Sequence, residues 1–522
     1  MASRSLAIAP SVSAASASAN AAAVGVRGLR SDTLLVSIVM LLTMTVVQRG
    51  IGFVRGVLLC RWLEPSELGQ WDMALGFLEL AAPVAVLGIP GSFGRYVQRY
   101  LLSGQFRSFL RQTMVVTALL ASASIAALVL QAGTVSDWLF GTRDKSGTVL
   151  LLAGGLGVLV AYYFQNTVLT GLLQNRVSYR LELIQSLAFT GLALLLVGLT
   201  DSGACGVIIA YAAACGVSLV VGLVCFRASH QPVDHVPLPA RSLWPTLLPF
   251  ALWVWGTNWL ANLFELTDRY MLVHFSGLAS DEALGLVGNY HSARIVPLLL
   301  VSVTASLGTI LTPYLSRDWE AGHREAVGVK LNLFVKVVSW LLCAGAVAIM
   351  WIGPWLFGTA LRGKYAGGET VLPWTLTYCI WFGVARVSQK YLWCVERVGL
   401  ATLAWSLGLG VNVVLNLVLL PRLGLSGVVL ATAAGNFVSL VLIAGFNRYL
   451  GLHTDRGMWA LLALPLALPC GPLAATAVLA IVLLLTCKTS HVLSEAERNI
   501  LYQTGLRGIQ KLRAKANLKP AV

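Results

Sequence analysis

Apolar segments of about twenty residues or more recur along this chain, and nothing else in the sequence restricts its fold as much. They run over residues 33–60, 67–90, 112–132, 148–173, 181–200 and 204–226, then, after a polar stretch, over 245–275, 284–314, 329–357, 370–394, 400–420 and 425–449. A helix needs roughly 20 apolar residues to cross a bilayer. Hydrocarbon offers the backbone no hydrogen-bonding partner, so a spanning segment must satisfy itself as a helix or close into a barrel. The chain is 57% hydrophobic and only 11% charged, against about 25% charged in soluble domains. It reads as an all-α, multi-pass integral membrane protein.

The segments fall into six, a linker and six. Residues 31–226 are the expected N-terminal lobe, 227–244 a polar, proline-bearing cytoplasmic linker and 245–450 the C-terminal lobe. The Ala/Ser-rich residues 1–30 lack the continuous apolar core of a signal peptide and read as a disordered cytoplasmic tail. Residues 457–488 form an apolar stretch broken by Pro465, Pro469 and Pro472. Two short helices hinged there return the basic tail, 489–522, to the cytoplasm. This gives about 14 transmembrane helices, with 12–13 as the alternative count.

Of the 37 Lys and Arg, six would lie in outer loops if the N-terminus is inside: Arg61, Arg143, Lys145, Arg362, Lys364 and Arg422. Five more, Arg49, Arg55, Arg269, Arg294 and Lys336, fall within or near spans, and all the others are on the inner side. The positive-inside bias therefore predicts a cytoplasmic N-terminus in the cell (cytoplasmic) membrane. It also accounts for the net charge of +15 without nucleic acid, for which no motif is present. The nine cysteines show no CxxC or Cys/His metal spacing, and no Walker A sequence occurs. No cofactor, metal or catalytic residue is expected.

The charges inside spans carry the functional reading, because such residues are costly and by default mark a pathway or site. Thr45, Gln48, Arg49, Gly52, Arg55 and Gly56 share an arc of roughly 120° on the first helix. That face suits a cavity for an anionic substrate. In the seventh segment Asn258, Asn262, Glu265 and Arg269 form one stripe, with Asp268 beside it. A Glu265–Arg269 ion pair and a transport role are both open there. On the second segment Glu79 is expected to be the deep carboxylate, since Asp72 lies near the outer end. Tyr290 and His291 of the eighth segment fit either a polar face with Arg294 or interfacial anchoring. Lys336 is expected to snorkel to the cytoplasmic boundary. Arg95, Arg99, Arg107 and Arg111, with no acid among them, suit a cytoplasmic loop against anionic lipid.

A short internal repeat links the halves. Leu68-Gly69-Gln70-Trp71-Asp72-Met73-Ala74 opens the second segment, and Val287-Gly288-Asn289-Tyr290-His291-Ser292-Ala293 occupies the matching place in the eighth. Transporter folds are often built from such repeats, with substrate between them.

These residues, with Arg61-Trp62-Leu63-Glu64-Pro65, Gly88-Ile89-Pro90, Asp268-Arg269 and Pro313-Tyr314-Leu315-Ser316-Arg317, resemble the polysaccharide-repeat (Wzx-type) flippases of the multidrug/oligosaccharidyl-lipid/polysaccharide (MOP) exporter superfamily. The resemblance covers roughly residues 33–450. Arg49-x-x-Gly52-Phe53-x-Arg55 is also similar to the first helix of lipid II flippases, although Gly56 stands where an acid is expected. What the resemblance implies is a V-shaped pair of six-helix lobes that alternate access and move an undecaprenyl-pyrophosphate-linked oligosaccharide, without being an enzyme. Arg49, Arg55, Arg294 and Arg269 would hold the pyrophosphate, because guanidinium forks match phosphate oxygens. Glu79, Glu265 and Asp268 are the ion-coupling candidates. Partners would be the lipid-linked substrate, membrane lipids, and a polysaccharide polymerase with other assembly proteins. The alternatives are a cation-coupled multidrug antiporter of the same fold and a membrane glycosyltransferase or polymerase. The short outer loops, without a nucleophile–base or metal-ligand set, speak against the last.

Overall fold

The computed structural model describes residues 34–228, 238–453, 456–488, 493 and 497–498. Most of both terminal tails and of the linker lie outside these residues. Among the described residues there is no strand, as expected of a chain that must satisfy its own backbone in lipid.

All twelve apolar segments are helical, several extended by a turn or more, but 284–314 and 370–394 are each divided into two helices. The first half begins with α1 (Leu34–Trp62) and α2 (Pro65–Ala85), followed by the short α3 (Phe93–Leu102). Then come α4 (Phe106–Leu130), a short α5 (Ala132–Phe140), α6 (Ser146–Gly171), α7 (Asn175–Thr200) and α8 (Gly203–Ala228). The second half starts with α9 (Ala240–Phe275), then α10 (Ser280–Arg294) and α11 (Pro297–Glu320). It continues through α12 (Arg324–Trp355), α13 (Ala366–Ser388), the short α14 (Lys390–Cys394), α15 (Val398–Leu423) and α16 (Leu425–Tyr449). The chain ends in α17 (Arg456–Ala463), a 3₁₀ turn over Leu464–Cys470 and α18 (Pro472–Lys488). Among the described residues, seven helices are individually long and apolar enough to cross a membrane. The pair α10–α11 adds an eighth span, bent by 55° at its break.

Local chemistry sets several of these boundaries. Pro65 takes the first helical position of α2, where its missing N–H costs nothing, and the Glu67 carboxylate accepts the Glu64 N–H at 3.1 Å in a capping box. Leu87 and Gly88 then turn left-handed (φ 50° and 66°) and end the helix. A side chain at Gly88 would lie 2.5 Å from Trp255 Cβ, so glycine also lets α9 cross close by.

The four-arginine stretch is not a plain loop. α3 buries Tyr96, Val97 and Tyr100 and leaves Arg99 exposed, and Arg107 and Arg111 follow exposed on α4. That is the profile of a helix lying in a membrane interface.

Lys336 departs from expectation more sharply. It does not snorkel: it is 0% exposed on α12, and its Nζ donates to Glu497 Oε2 at 2.7 Å. α17 and α18 pack on the same helix. The chain's end thus brings a carboxylate to an ammonium that burial would otherwise leave uncompensated.

Candidate functional site

The two halves meet where the internal repeat said they were alike. α2 packs along α10, and a side chain on Gly69 would fall 1.9 Å from the Leu284 carbonyl oxygen. Reciprocally, a side chain on Gly288 would fall 1.9 Å from the Pro65 carbonyl oxygen. Each glycine faces the backbone four residues before the other, as the equivalent positions of a pseudo-two-fold contact must. Small residues let helix backbones approach this closely in a membrane.

Asp72 and His291 occupy matching positions of the repeat but differ in chemistry, and they bond to each other. His291 Nδ1 lies 2.7 Å from Asp72 Oδ1. Arg269 of α9 completes the group, with Nε 3.0 Å from Asp72 Oδ2 and Nη1 donating to the Asp72 carbonyl at 3.2 Å. Gly76, one turn along α2, leaves the space that the guanidinium fills.

Three expectations are corrected here. Asp72 is the buried carboxylate of α2, at 2% exposure, whereas Glu79 is exposed, because Asp72 faces α9 and α10 across the interface. Arg269, expected as a pyrophosphate ligand, is paired with Asp72 instead. The Glu265, Asn258 and Asn262 side chains lie outside the described residues. Tyr290 and His291 are not interfacial anchors: Tyr290 is buried and His291 is tied to Asp72.

Asp268, next to Arg269, points into the second half. Its Oδ1 accepts from Asn412 at 2.9 Å and Asn416 at 3.0 Å, both on α15. Its Oδ2 accepts from Thr432 of α16 at 2.6 Å and from Tyr290 at 2.8 Å. The four donors are neutral, so they solvate the carboxylate without cancelling its charge. A cavity of about 30 Å³ adjoins it, lined by Asp268, Tyr290, Arg294, Tyr378, Thr432 and Asn436 among others. The buried Oδ1 atoms of Asn416 and Asn436 accept no hydrogen bond.

The first helix places its two arginines differently. Arg49 is exposed. Arg55 is half-buried; it donates to Thr190 Oγ1 of α7 at 3.3 Å, and its guanidinium carbon lies 4.2 Å from the Phe189 ring centroid. Beside Arg49, Gln48 donates to Glu182 of α7 at 3.5 Å, and Asn166 of α6 donates to the same carboxylate at 2.9 Å. Gly56, the position without the expected acid, packs against Ile295. Ile295 lies in the break between α10 and α11, directly after Arg294. Arg294 is buried with its guanidinium 5.0 Å from the Tyr290 ring. The cationic face of α1 therefore abuts the broken helix, and broken helices of transporters are where irregular backbone lines a cavity.

Sequence reasoning missed Glu182, Asn412, Asn416 and Thr432. Asn412 and Asn416 did carry a signal, two amides four residues apart within an apolar helix, which places both on one face. Glu182 sits close to the arginine-bearing loop start of α7 and gave none.

Comparison with known proteins places this geometry. The family model described as polysaccharide biosynthesis protein matches residues 34–319. The lipid II flippase MurJ of Bacillus subtilis (strain 168) is 20% identical over 396 residues, covering 69% of this chain and 72% of that protein. Among solved structures, a lipid II flippase MurJ in an inward closed conformation superposes with a TM-score of 0.66 at 12% identity, over 84% of this chain and 97% of that one. A multidrug resistance MATE family transporter of the MOP superfamily, inward-facing, gives 0.59 at 14% identity, over 81% and 98%. At such identities the likeness establishes the fold, and the family match spans more than half of the chain. This multi-pass membrane protein thus belongs to the polysaccharide biosynthesis protein family and has the MOP-superfamily transporter fold.

Proposed function

We propose that this protein is a flippase that moves an undecaprenyl-pyrophosphate-linked oligosaccharide across the cytoplasmic membrane, with its N-terminus in the cytoplasm and residues 31–226 and 245–450 acting as alternating lobes. The observation that carries this reading is the charge left over where α1 meets the broken helix. Asp72 is balanced by Arg269 and His291, and Glu182 is held by two amides. Arg55 meets a hydroxyl and an aromatic ring, and among the described residues no carboxylate pairs with it or with Arg49. A site with surplus guanidinium groups selects an anion, and a pyrophosphate offers oxygens that such forks can take two at a time. Arg294, at the start of the break that Gly56 packs against, is a further candidate from the second half.

Asp268 is the residue we assign to ion coupling. Its carboxylate borders a small cavity that Arg294 and Asn436 also line, and the buried Asn416 and Asn436 acceptors are unmet, an arrangement that suits a proton or a small monovalent cation. A cavity that size holds a water-sized body.

The test is transbilayer movement of the lipid-linked oligosaccharide in proteoliposomes. Arg55→Ala should lower the rate at least tenfold and Arg55→Lys should restore part of it, with both variants inserted normally. Unchanged movement in Arg55→Ala would overturn the reading. The exposed Glu79, close to Tyr163 and Tyr211, is the feature that favours a multidrug antiporter instead. Efflux of organic cations that depends on Glu79 and not on Arg55 would decide for that alternative.

A further inference from the structure

Three of the six basic residues expected outside converge on one cleft. Arg61 ends α1, and Arg362 and Lys364 lie between α12 and α13, so the cations come from both halves of the chain. With Trp62, Glu67 and Asp201 they line a cavity of about 320 Å³, at the lower end of the roughly 300–1,000 Å³ of ligand sites. The cleft is at the α1–α2 end of the bundle, away from the Arg55 face and from Asp268.

Several features hold it in shape. The Trp62 ring lies against Gly198 of α7, where a Cβ would be 3.5 Å from the indole, and the ring remains 40% exposed. Glu67 packs on Gly203, where a Cβ would meet its Oε1 at 2.3 Å. Lys364 pairs with Glu64 at 2.7 Å and ties the two halves together. Arg362 and Asp201 both have left-handed backbone, φ 58° and 45°, which a long side chain such as arginine rarely adopts. Among the described residues no carboxylate forms an ion pair with Arg61 or Arg362, so two guanidinium groups, one from each half, line the cleft alongside the Glu67 and Asp201 carboxylates.

We propose that this cleft binds an anionic saccharide, its acid group bridging Arg61 and Arg362 and its ring lying on Trp62. The guanidinium forks fit carboxylate or phosphate oxygens. The indole offers an apolar face to the C–H side of a sugar ring, and the Asp201 carboxylate is an acceptor for hydroxyls. The wall adds only Leu63 and Val197 as further apolar side chains, too little to seat an acyl chain, which argues against a whole anionic lipid. Because the acid group bridges both halves, an occupied cleft favours the arrangement in which these ends are together.

The experiment is equilibrium binding of D-glucuronate to the full-length protein in neutral-lipid nanodiscs. D-glucose and inorganic phosphate serve as comparison probes. Saturable D-glucuronate binding is expected, at least tenfold tighter than that of either comparison probe. Arg61→Ala and Arg362→Ala should each weaken it at least tenfold, while Arg143→Ala, an outer base away from the cleft, should leave it unchanged. Equal binding of glucose would remove the role of charge, and equal binding of phosphate would remove that of the sugar ring; either overturns the proposal. So would the absence of saturable binding, or full binding by both cleft variants. No transport is measured, so the result stands apart from that of Arg55→Ala.

Discussion

Asp72 and Asp268 are both buried carboxylates at the meeting of α9 with its neighbours, yet their surroundings are opposite in kind. Asp72 touches two ionisable groups from the other half of the chain, Arg269 and His291. Asp268 accepts from four neutral donors, all within its own half. The first arrangement cancels charge across an interface and so acts as a latch between halves. The second holds the carboxylate with neutral donors beside a small cavity that Arg294 also lines. Neighbouring residues on one helix, Asp268 and Arg269, thus serve different halves of the molecule because they point about 100° apart.

The comparison breaks most visibly if the latch is cut on one side. Arg269→Ala leaves Asp72 buried without its main partner and should cost about 3–5 kcal/mol. Chemical unfolding in detergent measures this, and the double variant Arg269→Leu/Asp72→Asn should recover most of the loss. No recovery would mean that Arg269 acts by packing alone. A smaller effect is expected where the latch is pried rather than cut. Gly69→Ala or Gly288→Ala places a methyl against a carbonyl of the facing helix and should cost about 1–3 kcal/mol by overpacking. Cysteine cross-linking across the α2–α10 contact should then slow in proportion, and unchanged cross-linking would show that the interface yields freely. The smallest stability effect should come from Asp268→Asn. The Tyr290 and Thr432 hydroxyls that donate to the carboxylate can turn and accept from an amide, so about 1 kcal/mol or less is expected. Transport by this variant should nonetheless lose its dependence on an imposed proton or sodium gradient. A variant as unstable as Arg269→Ala would show that Asp268 is structural in the same sense as Asp72.

How legible each group was in the sequence follows from the range of the interaction. The repeat was readable because it is written twice in seven consecutive residues, and Gly69 and Gly288 proved to be its working parts. Asp268 was readable as a charge in a span, but its solvation comes from α15 and α16, more than a hundred residues later. The sequence points to Glu79 as the deep carboxylate because position along a helix is visible in sequence and the direction of the facing helix is not. The burial of Lys336 is invisible in sequence for the same reason, since its partner Glu497 lies 161 residues away.

The sequence by itself determined the all-helical membrane class, the placement of twelve apolar segments as helices, and the presence of arginines on the first of them. Hydrocarbon imposes those through length and composition, which are local quantities. Only the tertiary structure decided which charges were cancelled and which were left over. Charge balance is a property of what lies within a few ångströms, and in a helical bundle those neighbours come from distant parts of the chain. Arg269 and Arg55 look alike in sequence, each an arginine in a span. One is paired with Asp72, while the other lies beside Thr190 and Phe189.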